Sequence, residues 1–548
     1  MATLPGRRPL ILELDLTALP VEPPAGDPVA KLATRGRRQL RPTLRALHEA
    51  AADPHVVGLV AKVGGFLPWA SMQELRLGVA EFAASGKPTV AWAETFTEAV
   101  PDMAAYTLAS AFPEIWLQPG GVVGMLGVGV ETTFLRGAFD KLGIEPELEQ
   151  CHEYKSAADR LTRYEFTAAH RESLERLTGS VFDHAVADIA HGRRMSTEHV
   201  RELVETGPRT AEEALAARLV DHLGYRDQVH DAVRRRVPEG AELLFVDRWR
   251  PRPTLSSLPV GLGGRRGHVA LVEVRGGIVS GRSRRGAFGR SVGSDTVAGQ
   301  LRSVLTDDSA RALVLQVDSP GGSSVASETI WREVSRVREA GKPVVVAMGD
   351  AAASGGYYVA CPADVIVALP ATLTGSIGVF GGKFVVSELL DRLGLRTGVV
   401  EHGARVRMFS PRRRFADEER DRLNAIVDAV YADFLGHVAE GRGMTRDQVD
   451  AVARGRVWTG ADARGAGLVD ELGGLRDAVR IARERADLDE HAPLRPAAHV
   501  PAIARLGRPR NSDDPRAGTT SSLGLDDVAA LLGWPAGTEL TMPPLSLR

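Results

Sequence analysis

The sequence predicts an α/β protein made of two tandem copies of one domain, and three observations carry that prediction. Short β-branched apolar runs end in glycine-rich turns that open helical stretches, the pattern of parallel strands buried beneath helices. The chain repeats itself at a spacing of about 250 residues: Gly86-Lys-Pro-Thr-Val90 returns as Gly341-Lys-Pro-Val-Val345, Asp140-Lys-Leu-Gly143 as Asp391-Arg-Leu-Gly394, Gly192-Arg-Arg-Met-Ser196 as Gly441-Arg-Gly-Met-Thr445, and Leu219-Val-Asp221 as Leu468-Val-Asp470. Finally, 548 residues exceed what a single core usually supports.

In chain order, Pro9-Leu-Ile-Leu-Glu-Leu-Asp-Leu16 alternates after Leu12 and reads as the first strand. Asp247 to Gly267 is rich in Pro, Gly and Arg and reads as the linker between the copies, with the boundary near residue 255. The second sheet is predicted to open at His268-Val-Ala-Leu-Val-Glu-Val274, and the basic stretch Ser280–Gly286 reads as a short solvated loop rather than a nucleic-acid patch. Leu313–Val317 is a buried strand leading into Asp318-Ser-Pro-Gly-Gly-Ser323 and a helix from Ser327; Lys342–Met348 is another, leading into Gly349–Tyr358. Leu423, Ile426, Val427, Val430 and Tyr431 share one face of a helix running from Ala416 through Ala439, and Thr445 with Gln448 has capping-box spacing for the next. Beyond about residue 487 the chain turns Pro- and Ala-rich, with one short helix expected at Leu525–Leu532. The expected division is a first domain over 1–255, a second over 256–486 and a tail over 487–548.

Two turns carry candidate chemistry. Gly349-Asp-Ala-Ala-Ala-Ser354-Gly-Gly-Tyr-Tyr358 places Ser354 where a buried strand gives way to a helix, whose N-terminal N–H groups and dipole suit a reacting oxygen. Ser354 is the candidate nucleophile; a helix-capping serine is the plain alternative. The Gly321-Gly322 turn ends a neighbouring strand and permits close approach of a backbone N–H to a ligand, which makes it a natural oxyanion hole. Either Gly321 or Gly322 can supply that N–H. Two such turns at the carboxyl ends of parallel strands are where open α/β sheets gather their sites.

Asp318-Ser-Pro-Gly-Gly322, Ala352-Ala-Ser-Gly-Gly-Tyr-Tyr358 and Leu373-Thr-Gly-Ser-Ile-Gly-Val379, in this order, resemble the signal peptide peptidase A family of Ser/Lys proteases in its long, two-domain form. The resemblance implies tandem ClpP/crotonase-like domains, a serine nucleophile with a lysine general base, remnant signal peptides or other small or unfolded peptides as substrates, and a homo-oligomeric ring or dome. It also implies that Ser376 holds the lysine amine by a hydrogen bond; a turn serine is the alternative.

The two copies differ where chemistry should lie. The first copy has Glu98-Ala-Val-Pro-Asp-Met103 in place of the Ser354 turn and Lys62-Val-Gly-Gly-Phe66 in place of the glycine loop, so it cannot carry the same nucleophile. Conversely, Lys155 in His152-Glu-Tyr-Lys-Ser-Ala157 stands where the second copy has Val406. In the long form that the chain resembles, the first copy supplies the base. A lysine works as a base only when neutral, and its ordinary pKa of about 10.4 must be lowered by burial to do so near neutral pH. An exposed lysine among Glu153, Asp159 and Arg160 is the alternative.

A Ser-His-Asp mechanism through His402 finds no acid partner in the sequence. Cys151 and Cys361 are the only cysteines, which excludes a disulfide framework though not a single bridge; no His/Cys cluster has metal-ligand spacing, and no phosphate-binding P-loop appears, so neither metal nor cofactor is expected. With 44% hydrophobic residues, 25% charged residues and a net charge of −2, the chain can bury a sizeable core and has no global pull toward nucleic acid. The N-terminal apolar run is too short for a signal peptide core or membrane span, so cytoplasmic residence is expected, with peripheral membrane contact left open. An acyl-CoA hydratase or hydrolase of the same fold and a catalytically silent, membrane-associated scaffold are the rival readings.

Overall fold

The computed structural model of the chain describes residues 8–17, 39–65, 68–96, 103–251, 267–286, 289–497 and 538–541. The expected boundary near residue 255, the helix expected at Leu525–Leu532 and most of the first-copy turn from Glu98 lie outside them.

Two compact units form, and both are built on one plan. One draws its described residues from 1–130 and 178–264, the other from 131–177 and 265–546. In the first, parallel strands run side by side in the order His222–Leu223, Glu114–Leu117, Thr89–Ala93, Val56–Val63, Leu10–Leu16, Glu242–Phe245. The second repeats that order with Glu471–Leu472, Val365–Ala368, Val344–Ala353, Ala310–Ser319, His268–Arg275 and Leu494–Pro496. The sequence repeats are the contacts that lock this plan. Lys87 donates to the carbonyls of Ala50 and Asp53, at the end of a helix, and Lys342 does the same at Val304 and Asp307. The fully buried Tyr106 and Tyr357 hydroxyls donate to the carbonyls of Leu219 and Leu468, and Arg193–Asp221 is matched by Arg442–Asp470. Gly192 and Gly441 recur because a Cβ would lie 1.9 Å from the Ser110 carbonyl oxygen in one copy and 2.1 Å from that of Cys361 in the other.

The second unit's central strands are almost wholly buried, and Val272, Leu313, Leu315, Val344, Val346 and Ile366 belong to one core with helix Asp417–Arg442. Several elements differ in extent from the sequence reading. The strand expected to end at Met348 continues to Ala353, because Ala351–Ala353 pair with Leu373–Gly375 after Val345–Ala347 have paired with Val365–Val367. The helix after the glycine loop opens at Ser324, three residues early, with Ser323 accepting from the Ala326 N–H as its cap. Arg284–Gly286, read as loop, pairs antiparallel with Gly289–Gly293.

A second sheet in this unit carries the parts that matter for chemistry. Gly277–Val279 pairs with Gly321–Ser323, Thr538–Thr541 lies antiparallel between Gly321–Ser323 and Phe380–Gly381, and Glu145–Gln150 pairs along Phe380–Val385. The last pairing brings a strand from the chain's first half into the unit that holds Ser354. No helix among the described residues is long and apolar enough to cross a membrane.

Candidate active site

Ser354 follows the strand Val344–Ala353 and precedes the helix Gly355–Ala360. Its backbone is held at φ 55°, ψ −115°, a left-handed conformation costly for a residue with a Cβ and typical of functional turns. Two bonds enforce it: the Ser354 N–H donates to the Gly375 carbonyl at 2.8 Å, and its own carbonyl accepts from the Tyr358 N–H at 2.8 Å. The Ser354 N–H is therefore committed to structure, and an oxyanion needs other donors.

The glycine loop lies close to this turn. A Cβ on Gly355 would sit 3.1 Å from the Gly322 nitrogen and 3.2 Å from the Gly321 Cα. The Gly321 N–H donates to Ser319 Oγ at 3.1 Å, and the Ser319 hydroxyl donates in turn to the Gly276 carbonyl at 2.7 Å. Gly322 has φ 154°, and a Cβ there would lie 2.0 Å from the Ile278 carbonyl oxygen. Gly322→Ala is therefore expected to destabilise the fold by about 2–4 kcal/mol, through a backbone clash in a disfavoured conformation. A thermal midpoint equal to wild type would show that the loop relaxes freely.

Lys155 reaches the same place by the edge strand Glu145–Gln150. Its register against Phe380–Val385 ends at Gln150 opposite Phe380, and the Cys151 N–H continues it by donating to the Val379 carbonyl at 2.9 Å. The chain then turns at His152, φ 68°, and inserts Lys155, which is fully buried. Nζ lies 2.8 Å from Ser354 Oγ, 3.0 Å from the Ser376 carbonyl oxygen and 3.1 Å from Ser376 Oγ. All three partners are neutral oxygens, so nothing among them offsets desolvation, and burial pulls the lysine pKa well below its ordinary value. Ser376 is itself left-handed, φ 50°, with its N–H donating to the Arg456 carbonyl at 2.7 Å. Ser354 and Ser376 have no exposed surface.

The structure thus brings Ser354, Lys155, Ser376, Gly321 and Gly322 into one compact unit. It leaves His402 and Val406 exposed on the surface. Cys151 and Cys361 are buried free thiols; burial and the neighbouring Asp428 push the Cys151 thiol up to about 12, so it stays protonated. Among the described residues no group of His, Cys, Asp or Glu could hold a metal ion. The sequence reading missed Arg454-Gly455-Arg456, which packs against the lysine loop; the signal available was a glycine between two arginines ahead of Val457-Trp-Thr459.

Tandem parallel α/β sheets carry a serine at a strained strand-to-helix turn beside a glycine loop, the arrangement of a serine hydrolase. The chain belongs to peptidase family S49, whose sequence model matches residues 81–237 and 336–489. It is 30% identical to "Serine protease SPPA, chloroplastic" of Arabidopsis thaliana, over 85% of this chain and 67% of that protein. It is 33% identical to "Protease 4" of Salmonella typhi, over 82% of this chain and 72% of that protein, and 31% identical to "Protease 4" of Haemophilus influenzae, over 80% and 72%. A solved ClpP1 mutant from Listeria monocytogenes is 16% identical with a TM-score of 0.25, covering 38% of this chain and 94% of its own.

Proposed function

We propose that this serine protease works through a Ser354–Lys155 dyad and cleaves extended peptides, remnant signal peptides among them. The observation that carries the reading is the 2.8 Å separation of Nζ and Oγ between two fully buried side chains. Neutral Lys155 takes the Ser354 hydroxyl proton as Oγ attacks the peptide carbonyl carbon. The resulting oxyanion is met by backbone N–H groups of the glycine loop, with Gly322 the stronger candidate because Gly321 already serves Ser319. Lys155, now an ammonium, protonates the leaving amine as the C–N bond breaks, leaving an acyl ester on Ser354. Water then attacks, passing its proton to Lys155, and collapse of the second tetrahedral species returns that proton to Ser354 Oγ. Ser376 keeps Nζ directed at Oγ in both protonation states, through its carbonyl when the amine is charged and through its hydroxyl throughout.

The seat taken by Thr538–Thr541, antiparallel to Gly321–Ser323, supports an extended chain as the substrate form, because strand addition there uses main-chain bonds that any sequence can make. In the proposed division the first copy of the repeat, over 1–255, supplies the lysine and the second, over 256–486, the serine. The proposal includes a cytoplasmic homo-oligomer acting on peptides rather than nucleic acid, which cell fractionation and sedimentation check.

The test is the pH–rate profile on an apolar peptide. Activity requires the neutral amine, so kcat/KM should rise with pH through the lowered lysine pKa and reach its plateau well below pH 10.4, where an ordinary lysine would still be charged. A profile that instead rises only near that value, or falls as pH increases through neutrality, overturns the dyad.

A further inference from the structure

We propose that Arg454-Gly455-Arg456 is a strap that positions Lys155, each of its residues gripping one residue of Glu153-Tyr154-Lys155. The inference rests on Lys155 being the base. The backbone of the strap ties the groups around Nζ together: the Arg454 carbonyl accepts from the Tyr154 N–H at 3.2 Å, the Gly455 N–H donates to the Ile377 carbonyl at 2.7 Å, and the Arg456 carbonyl accepts from the Ser376 N–H at 2.7 Å. Gly455, at φ 86°, passes so close to the lysine that a Cβ would lie 2.4 Å from its nitrogen and 2.5 Å from its Cα. Gly378 faces it, and a Cβ there would lie 2.9 Å from the Gly455 Cα and 3.2 Å from Lys155 Cδ. Two glycines therefore leave a slot in which the lysine chain has little room to swing.

The arginines complete the grip. Arg454 donates to both carboxylate oxygens of Glu153, Nε at 3.0 Å and Nη2 at 2.9 Å, and its Nη1 reaches Asp450 at 3.2 Å. Its left-handed backbone, φ 54°, is held by its N–H donating to the Tyr431 hydroxyl at 3.2 Å, which itself donates to Asp450 at 2.7 Å. Arg456 donates to both oxygens of Glu172 at 2.8 Å and lies 4.0 Å over the Tyr154 ring, whose hydroxyl also donates to Glu172 at 2.8 Å. Half-exposed pairs of this kind add little stability; what two-pronged arginine contacts supply is orientation. Here that orientation is applied to the residues leading into Nζ.

The test compares Arg454→Ala, Arg456→Ala, Arg456→Lys and Gly455→Ala with wild type and Lys155→Met, reading kcat, KM and the pH–rate profile on one peptide. Misplacing a catalytic group by about 1 Å can cost roughly a hundredfold, and Gly455→Ala is expected to lose that much in kcat with KM little changed; each arginine-to-alanine variant should lose about tenfold. A slackened lysine meets water and regains its proton more readily, so the rising limb should move to higher pH, and raising the pH should recover part of the lost rate. Arg456→Lys keeps the charge without the fork and should behave as Arg456→Ala. A strap that only braced the fold would lower the thermal midpoint and leave the limb in place. Folded arginine variants with wild-type kcat and an unmoved limb overturn the inference, and they decide alone if Gly455→Ala does not fold. An active Lys155→Met overturns the base assignment instead.

Discussion

Replacing Ser354 with alanine is expected to lower kcat/KM for peptide hydrolysis by about 10⁴–10⁶-fold while the protein still folds, since loss of the attacking atom removes the covalent route altogether. Only one oxygen leaves a fully buried turn, and alanine meets the same left-handed φ of 55° that serine already tolerates there. The lost contact is the 2.8 Å approach to Lys155, whose amine keeps its Ser376 partners. A fluorophosphonate that phosphonylates the wild-type chain, with fluoride as the leaving group, should label one serine, Ser354, and none in the variant. Because the first copy has no serine at its equivalent turn, one label per chain is the ceiling. Hydrolysis at wild-type rate by purified Ser354→Ala, or a second labelled serine in residues 1–255, would sink the nucleophile assignment.

What the sequence makes legible follows from how local each signal is. Both sheets stand out because their strands are short, β-branched and repeated, and because Lys87 and Lys342, Arg193 and Arg442, and Asp221 and Asp470 recur in register as paired contacts. Ser354 stands out because its turn needs small residues on both sides, which leaves a recognisable Ala-Ala-Ser-Gly-Gly. The strand that delivers Lys155 is another matter. Glu145-Pro-Glu-Leu-Glu-Gln150 has a proline, three glutamates and no β-branched residue, so propensity argues against a strand, and only pairing with Phe380–Val385 makes it one. Its charges are spent locally, on Arg414 for Glu145 and on Arg420 for Glu147 and Glu149. Lys155 is visible in the sequence only as a difference between copies and through family likeness. Arg454-Gly455-Arg456 lies about 300 residues from the loop it grips, a distance that no periodicity or propensity spans.

Lys155→Met and Lys155→Arg are expected to lose activity for opposite reasons, each by about 10³-fold or more. Methionine has no proton acceptor, while the arginine side chain remains protonated near neutral pH and offers none. Serine labelling should weaken sharply in both. Stability separates them. The folded-state pKa of Lys155 is depressed, whereas the unfolded chain binds the same proton with a pKa of about 10.4. Between those two values the unfolded state holds more protons, so stability rises with pH across that window, and at neutral pH the buried amine is a cost to the fold. Methionine removes the titration: its urea-unfolding free energy should vary less with pH over the window and at neutral pH should be no lower than wild type. Arginine forces a permanent charge and extra volume into a fully buried position, and should unfold at lower urea than wild type at every pH. A methionine variant with the wild-type pH slope would mean that Lys155 is not held neutral by burial. One that kept wild-type turnover would mean that the proton on Ser354 leaves by another route.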